Sequence, residues 1–326
     1  MIQWISRFTR PPLGLILPLA AFANAFCQPA IVTVVNSASF QTAGLPVEGG
    51  LATMYVSGLT ALKPGAYLAQ PSQPLPYTLG GATVVMNNDY APLLAVIVPS
   101  DPTANVQINF QVPLSANASQ LARYVPSLSG YFGGEGNAPP GYSGYLGVTD
   151  GVNYATITAT TAPPAIGAFF STTDGYVVAL HASDSSPVTP QNPAHRGESI
   201  IAYADGFFLT WPRPPIGIPV PAHVKFQPDA SLIAIGSLYL QAPPTFFTNC
   251  APFPGYCNMQ GYFPGTPPLT INSMGLQEGT VGVETINFVV PANQRPGVWD
   301  LFFDIVTSTP FMTTGVASSN AMLPVD

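Results

Sequence analysis

Charge is what this sequence has least of. Its 326 residues include only 8 Lys and Arg and 15 Asp and Glu, 7% of the chain, where a soluble domain carries about 25%. Exposed helix faces are usually built from Lys, Glu and Arg, so this composition excludes long surface helices and leaves the surface to Ser, Thr, Asn, Gln, Gly and Pro. The net charge is −7, and loss of Arg7 and Arg10 with a leader would make it −9. Nucleic acid is thereby excluded as an expected partner, because phosphate binding needs clustered cations. Long apolar runs are missing beyond the N-terminus, although 47% of residues are hydrophobic. Leu93 to Val98 is typical, far short of the ~20 residues that span a bilayer as a helix, so no transmembrane segment is expected in the mature chain.

Catalytic vocabulary is equally sparse. His181, His195 and His223 are the only imidazoles, and there is no G-x-S-x-G elbow, H-E-x-x-H pair or P-loop. A hydrolytic triad needs a nucleophile, a base and an orienting acid, which here would have to come from distant segments. His181 lies in the strand-like run YVVALHA and reads as a half-exposed surface residue. His195 sits beside Arg196 in a turn, and His223 at a Pro-flanked strand start. Asp300 and Asp304 share a strand face about 13 Å apart at ~3.3 Å per residue, too far for a glycosidase pair, so a solvated face is expected. Asp89, Asp101 and Asp205 fall on loop-like segments without a D-x-D-x-D-G calcium motif. The sequence points to no cofactor and no metal site.

There are three cysteines. Cys250 and Cys257 close the loop C-APFPGY-C, and in an exported chain a local disulfide is the expectation. A metal site would need four ligands, and no other Cys or His lies near this pair. Export is read from residues 1–25: Arg7 and Arg10, an apolar stretch from Leu13 to Phe22, and an A-x-A site at Ala23 to Ala25. The expected address is secreted or cell-surface. An alternative reading makes Cys27 an acylated residue, against which stand Phe26 before it and Asn24 where such signals carry Leu.

What the sequence has in abundance is turns and strands. Thirty-eight prolines oppose helices, each interior proline costing about 3 kcal/mol. Period-2 alternation marks strands: Val106, Ile108, Phe110 and Val112 alternate with Gln107, Asn109 and Gln111. Ile286, Phe288 and Val290 repeat the pattern, as do Trp299, Leu301, Phe303 and Ile305 against Asp300, Phe302 and Asp304. Each is expected to be half-buried, with Gln111 facing solvent. An internal repeat connects two of these strands. GGLATMYVSG runs from Gly49 to Gly58 with INFQVP ending at Pro113; GESIIAYADG runs from Gly197 to Gly206 with INFVVP ending at Pro291. The expectation is an all-β chain of two tandem immunoglobulin-like sandwiches, 26–165 and 166–326, with an insertion at about 242–275 in the second. The boundary falls between Thr161 and Ala194, a window that contains the Ser/Pro-rich SDSSPVTPQNPAHRG. Residues 130–145 read as a long surface loop.

The same segments carry a resemblance. VNSASFQ (Val35 to Gln41), LGGATVVMN (Leu79 to Asn87), APLLAVIVP (Ala91 to Pro99), QINFQVP, APPAIGAFF and PAHRGESIIAYADG, in that order over Ile31 to Val306, resemble the uncharacterised secreted C-terminal domain of Solibacter and other acidobacterial proteins. The resemblance implies export and immunoglobulin-like sandwiches, and brings no catalytic residue. Residues 130–145 and the 242–275 insertion depart from its pattern.

Aromatic residues crowd those two departures: Phe246, Phe247, Phe253, Tyr256, Tyr262 and Phe263 in the insertion, and Tyr131, Phe132, Tyr142 and Tyr145 in the loop. Such rings stack on sugars or anchor a protein interface; equally, they pack as a satellite core over a sheet edge. The expected function is a non-catalytic extracellular binding or structural protein whose partner is a glycan, another polymer or a protein. The alternative is a secreted hydrolase with a site at the domain junction.

Overall fold

The computed structural model describes residues 28–40, 49–70, 73–86, 89–113, 143–160, 167–207, 210–211, 215–228, 236–241, 267–309, 312–317 and 321–326. Residues 1–25, expected from sequence to be a leader, Cys27 and the segment from Cys250 to Cys257 lie outside them. The described chain is all-β, without a helix, and so contains no helix long and apolar enough to cross a membrane.

The first half carries β1 (Ala30–Asn36), β2 (Leu51–Ser57), β3 (Gly65–Leu68), β4 (Thr78–Leu79), β5 (Ala82–Met86), β6 (Asp89–Ala91), β7 (Leu93–Val98), β8 (Val106–Gln111), β9 (Ser143–Thr149) and β10 (Tyr154–Thr160). One antiparallel sheet has the order β1-β2-β8-β7-β3. The other has the order β10-β9-β5-β4, with β6 also on β5. Ser143, Gly144 and Tyr145 thus belong to a strand rather than to the loop expected over 130–145. Alternate residues of a strand face opposite sides, and the inward sets of both sheets meet in one cluster: Met54, Val96, Ile108 and Phe110 from the first, Val84, Leu146 and Val148 from the second.

The second half carries β11 (Ala168–Phe169), β12 (Ala179–His181), β13 (Ser199–Asp205), β14 (Thr210–Trp211), β15 (Gln227–Pro228), β16 (Gly236–Gln241), β17 (Thr270–Leu276), β18 (Glu284–Val289), β19 (Gly297–Thr309), β20 (Met312–Ala317) and β21 (Ala321–Val325). One sheet runs β11-β13-β18-β17, with β12 also on β13; another runs β16-β19-β20, with β21 also on β19; β14 and β15 form a small ribbon. Its core draws Ile200, Ile286 and Phe288 from one sheet and Leu238, Leu301, Phe303 and Leu323 from the other. The Ser/Pro-rich stretch is part of this unit, since Val188 and Ala194 are in its core.

Strand pairings recur between the halves. Ala52 lies opposite Phe110 in the β2–β8 ladder, and Ile200 opposite Phe288 in the β13–β18 ladder. Beyond Phe110 stands Leu93 of β7, with a bulge to Ala95; beyond Phe288 stands Ile271 of β17, with a bulge to Ser273. In the second sheet of each half, Met86 pairs with Leu146 and Leu240 with Leu301. Gly49 and Gly197 open the ladders at φ +86° and +82°, a left-handed backbone that glycine adopts without strain. Their N–H groups donate to Val112 O and Val290 O at 2.9 and 2.8 Å. Residues 270–275, assigned to the insertion from sequence, belong to β17, the counterpart of β7; the additional residues lie chiefly between Gln241 and Thr270.

Three further sequence expectations fail. Gln111 does not face solvent. It is 2% exposed, donating to Gly49 O and accepting from Gly217 N, both at 2.7 Å. His181 is buried rather than half-exposed. Asp300 is also buried rather than solvated, on the β19 face where Phe302 stacks with Tyr239 at 5.5 Å between centroids; from Asp300 to Phe303 that strand is covered on both faces.

Gln111 belongs to a polar seam joining the two cores. Leu75 N donates to Gly217 O at 2.7 Å, and Leu51 N to Asp205 Oδ1 at 2.8 Å. Gly282 fits there because a Cβ would stand 2.7 Å from Gly49 O.

Truncating either central phenylalanine, Phe110→Ala or Phe288→Ala, is expected to cost about 3–5 kcal/mol. Gln111→Ala is expected to cost about 1–3 kcal/mol, because it strands two buried backbone groups. Urea titration reads both, and a Gln111→Ala midpoint equal to wild type would contradict the seam.

Candidate functional site

The ten aromatic residues singled out from sequence are not brought together by the described structure. Phe246, Phe247, Phe253, Tyr256, Tyr262, Phe263, Tyr131, Phe132 and Tyr142 lie outside the described residues, as do Cys250 and Cys257. Tyr145 has a described backbone position, on β9 opposite Thr158. A different aromatic pair does stand on the surface. Tyr77 precedes β4 and Tyr90 lies in β6, and both strands flank β5. The two residues are 50% and 60% exposed, and their rings meet edge to face with centroids 6.4 Å apart. Beside them the hydroxyls of Thr78 and Thr83 share a 2.8 Å hydrogen bond. Sequence spacing gave no sign of this pair, since sheet pairing through β5 assembles it.

Main-chain bonds fix the pair's supports. Leu93 N donates to Pro76 O at 2.8 Å, anchoring the residue before Tyr77, and Val85 lies opposite Tyr90. Two rings with such anchored backbones lose little freedom on binding a flat apolar surface.

The described titratable groups gather elsewhere, in the second unit. His181 ends β12; its Nδ1 lies 3.0 Å from the Glu198 carboxylate and its Nε2 3.3 Å from Asn192 O. Glu198 also accepts from the His195 main-chain N–H. The two imidazole rings are 5.7 Å apart, and His195 Nδ1 reaches Asp326 Oδ2 at 2.8 Å. Sequence reading missed this cluster because the loop from Ala182 to Glu198 folds back over His181. In the first half the matching position is Asn36, opposite Ala52 as His181 is opposite Ile200. Asn36 Oδ1 accepts from Ala38 N at 2.7 Å. Both residues thus tie down the turn after the edge strand. With both ring nitrogens in hydrogen-bond contact, His181 acts as a buried loop anchor.

The three aspartates considered for calcium are in separate places. Asp89 is in β6, Asp101 accepts from Thr103 N and Oγ1 at 2.9 and 2.7 Å, and Asp205 is in the seam. Among the described residues no group of three or more His, Cys, Asp or Glu is placed to hold a metal ion. Neither a protein-family model nor a curated protein matches the chain.

Hydrogen bonding to Asp326, and then its charge, raises the His195 pKa above 6.5. NMR titration of the imidazole is therefore expected to show His195 protonating above the ordinary range, and Asp326→Asn to lower it. An unchanged value in the variant would remove Asp326 as the cause.

Proposed function

We propose that this chain is an exported, non-catalytic binding or structural protein of the cell surface or medium. It is built from two immunoglobulin-like sandwiches, 26–165 and 166–326, and uses Tyr77 and Tyr90 to engage an extracellular glycan or protein. The observation that carries this reading is the exposed tyrosine pair, Tyr90 in β6 and Tyr77 immediately before β4. Flat rings on a rigid sheet support stack on sugar faces or seat in a partner's apolar pocket. The low charge of the chain suits an uncharged ligand better than a polyanion. Export is supported by the leader pattern in 1–25 and by the resemblance to acidobacterial secreted domains. Repetition of one ladder in each half supports two copies of one unit, with the aromatic insertion as an elaboration of the second. The alternative hydrolase would require a base beside a nucleophile at the junction. Among the described residues, the side chains seen to bond across that seam are Asp205 and Gln111, neither of them an imidazole.

Affinity electrophoresis of the mature protein in gels containing neutral polysaccharides, with a surface-protein extract as a second arm, tests this reading. Retardation by a polysaccharide, or capture of a defined extract protein, is expected to be lost in Tyr77→Ala/Tyr90→Ala at unchanged thermal stability. Binding that survives the double substitution would move the contact surface away from this pair.

A further inference from the structure

The buried acid in the seam has properties that its role as a simple hydrogen-bond acceptor does not require. Asp205 closes β13 and is 0% exposed. Its Oδ1 takes one hydrogen bond, from Leu51 N of the other sandwich, across 154 residues of sequence. Among the described residues its buried Oδ2 has no partner. The corresponding position in the first half, opposite Ala30 as Asp205 is opposite Ala168, is Ser57, whose hydroxyl stays within its own sheet by donating to Ala30 O at 3.4 Å. An acid therefore stands only in the copy that presents this strand end to the other sandwich.

The surroundings offer little to a carboxylate. On the adjoining strand β18, Glu284 lies opposite Ala204, and it is a second acid whose Oε2 accepts from Phe207 N at 2.9 Å. On β11 the facing residue is Ala168, and across the seam stands Leu51; on Asp205's own side Gly282 packs against Gly49 O and the Leu51 side chain. An ionised carboxylate in such a place keeps one N–H donor and loses its water. Its least costly relief is to open the seam and hydrate Oδ2.

We propose that Asp205 is a proton-controlled latch between the two sandwiches: protonated, it seals the Leu51 contact, and ionised, it drives the seam open. Burial pushes the Asp205 pKa up to about 8, opposed only by the Leu51 N–H bond. With the seam open and the group hydrated, the pKa returns toward the ordinary value of 3.8. The closed form therefore holds more protons than the open form between those values, and rising pH favours opening. The opening constant rises by up to about tenfold per pH unit over that window and levels off above about pH 8. The other side of the seam, Gly217 with Leu75 and Gln111, reports whether opening extends beyond one bond.

Amide hydrogen exchange followed by NMR on the mature chain tests the latch, with rates corrected for base catalysis to give protection factors. From pH 5 to 8 the protection of Leu51 N–H and Gly217 N–H is expected to fall together, by up to about tenfold per unit, and then to level off. In Asp205→Asn, which keeps an acceptor and cannot ionise, both are expected to be independent of pH. Asp205→Ser, the side chain of the equivalent position, provides a second uncharged variant should the first fail to fold. Wild-type protection that does not change with pH would overturn the proposal. So would a fall confined to Leu51, or the same dependence in an uncharged variant.

Discussion

Everything in this chain hangs on one strand ladder used in each half. A glycine with a left-handed backbone starts a strand, and the strand lies against an INF segment whose phenylalanine faces the core. Phe110 and Phe288 are both fully buried, and each is flanked by the ladder strand on one side and a bulged strand on the other. The second sheet of each half packs onto that phenylalanine face through Leu146 and Val148, or Leu301 and Phe303. Displacing either ladder by one residue would turn its apolar set outward and its amides inward. The outward amides pair with one another, as Gln107 with Asn109 and Asn272 with Asn287 show. Register, core and surface polarity thus follow from one alternation.

A chain so poor in charge depends on neutral hydrogen bonding to organise its loops. Asp150 is an ionisable exception that is well served: it accepts from Ala61 N, Val152 N and Asn153 N and so joins two loops of the first unit. His181 performs the same service in the second, and Gln111 between the two. Against that background Asp205, with one donor and one unpartnered oxygen, is the weak member of the seam. Among the described residues, the other hydrogen bonds of the seam are made by backbone and amide groups, indifferent to pH, which is why a single proton can govern it.

The repeated ladder was legible because its signals are local: two glycines nine residues apart (49 to 58 and 197 to 206) and an alternating INF strand. What sequence could not show are properties conferred by distant neighbours. Gln111 continues the polar set of its strand, yet Gly217, 106 residues away, buries it. His181 reads as a surface position until the loop to Glu198 closes over it. Asp300 reads as solvated until Tyr239 and Phe302 stack on its face. Tyr77 and Tyr90 are separated by a whole strand and only sheet pairing makes them neighbours. Period-2 reasoning assigns the face of a residue, but what covers that face is a matter of topology.

Two separate hydrophobic cores stand on the same ladder and meet at a polar seam. Peptide-level hydrogen exchange of the chain carrying Phe110→Ala is the decisive measurement. Protection is expected to be lost across β2, β7 and β8, with β13, β17 and β18 retaining wild-type protection. Equal loosening of both ladders would instead mean one shared cooperative core.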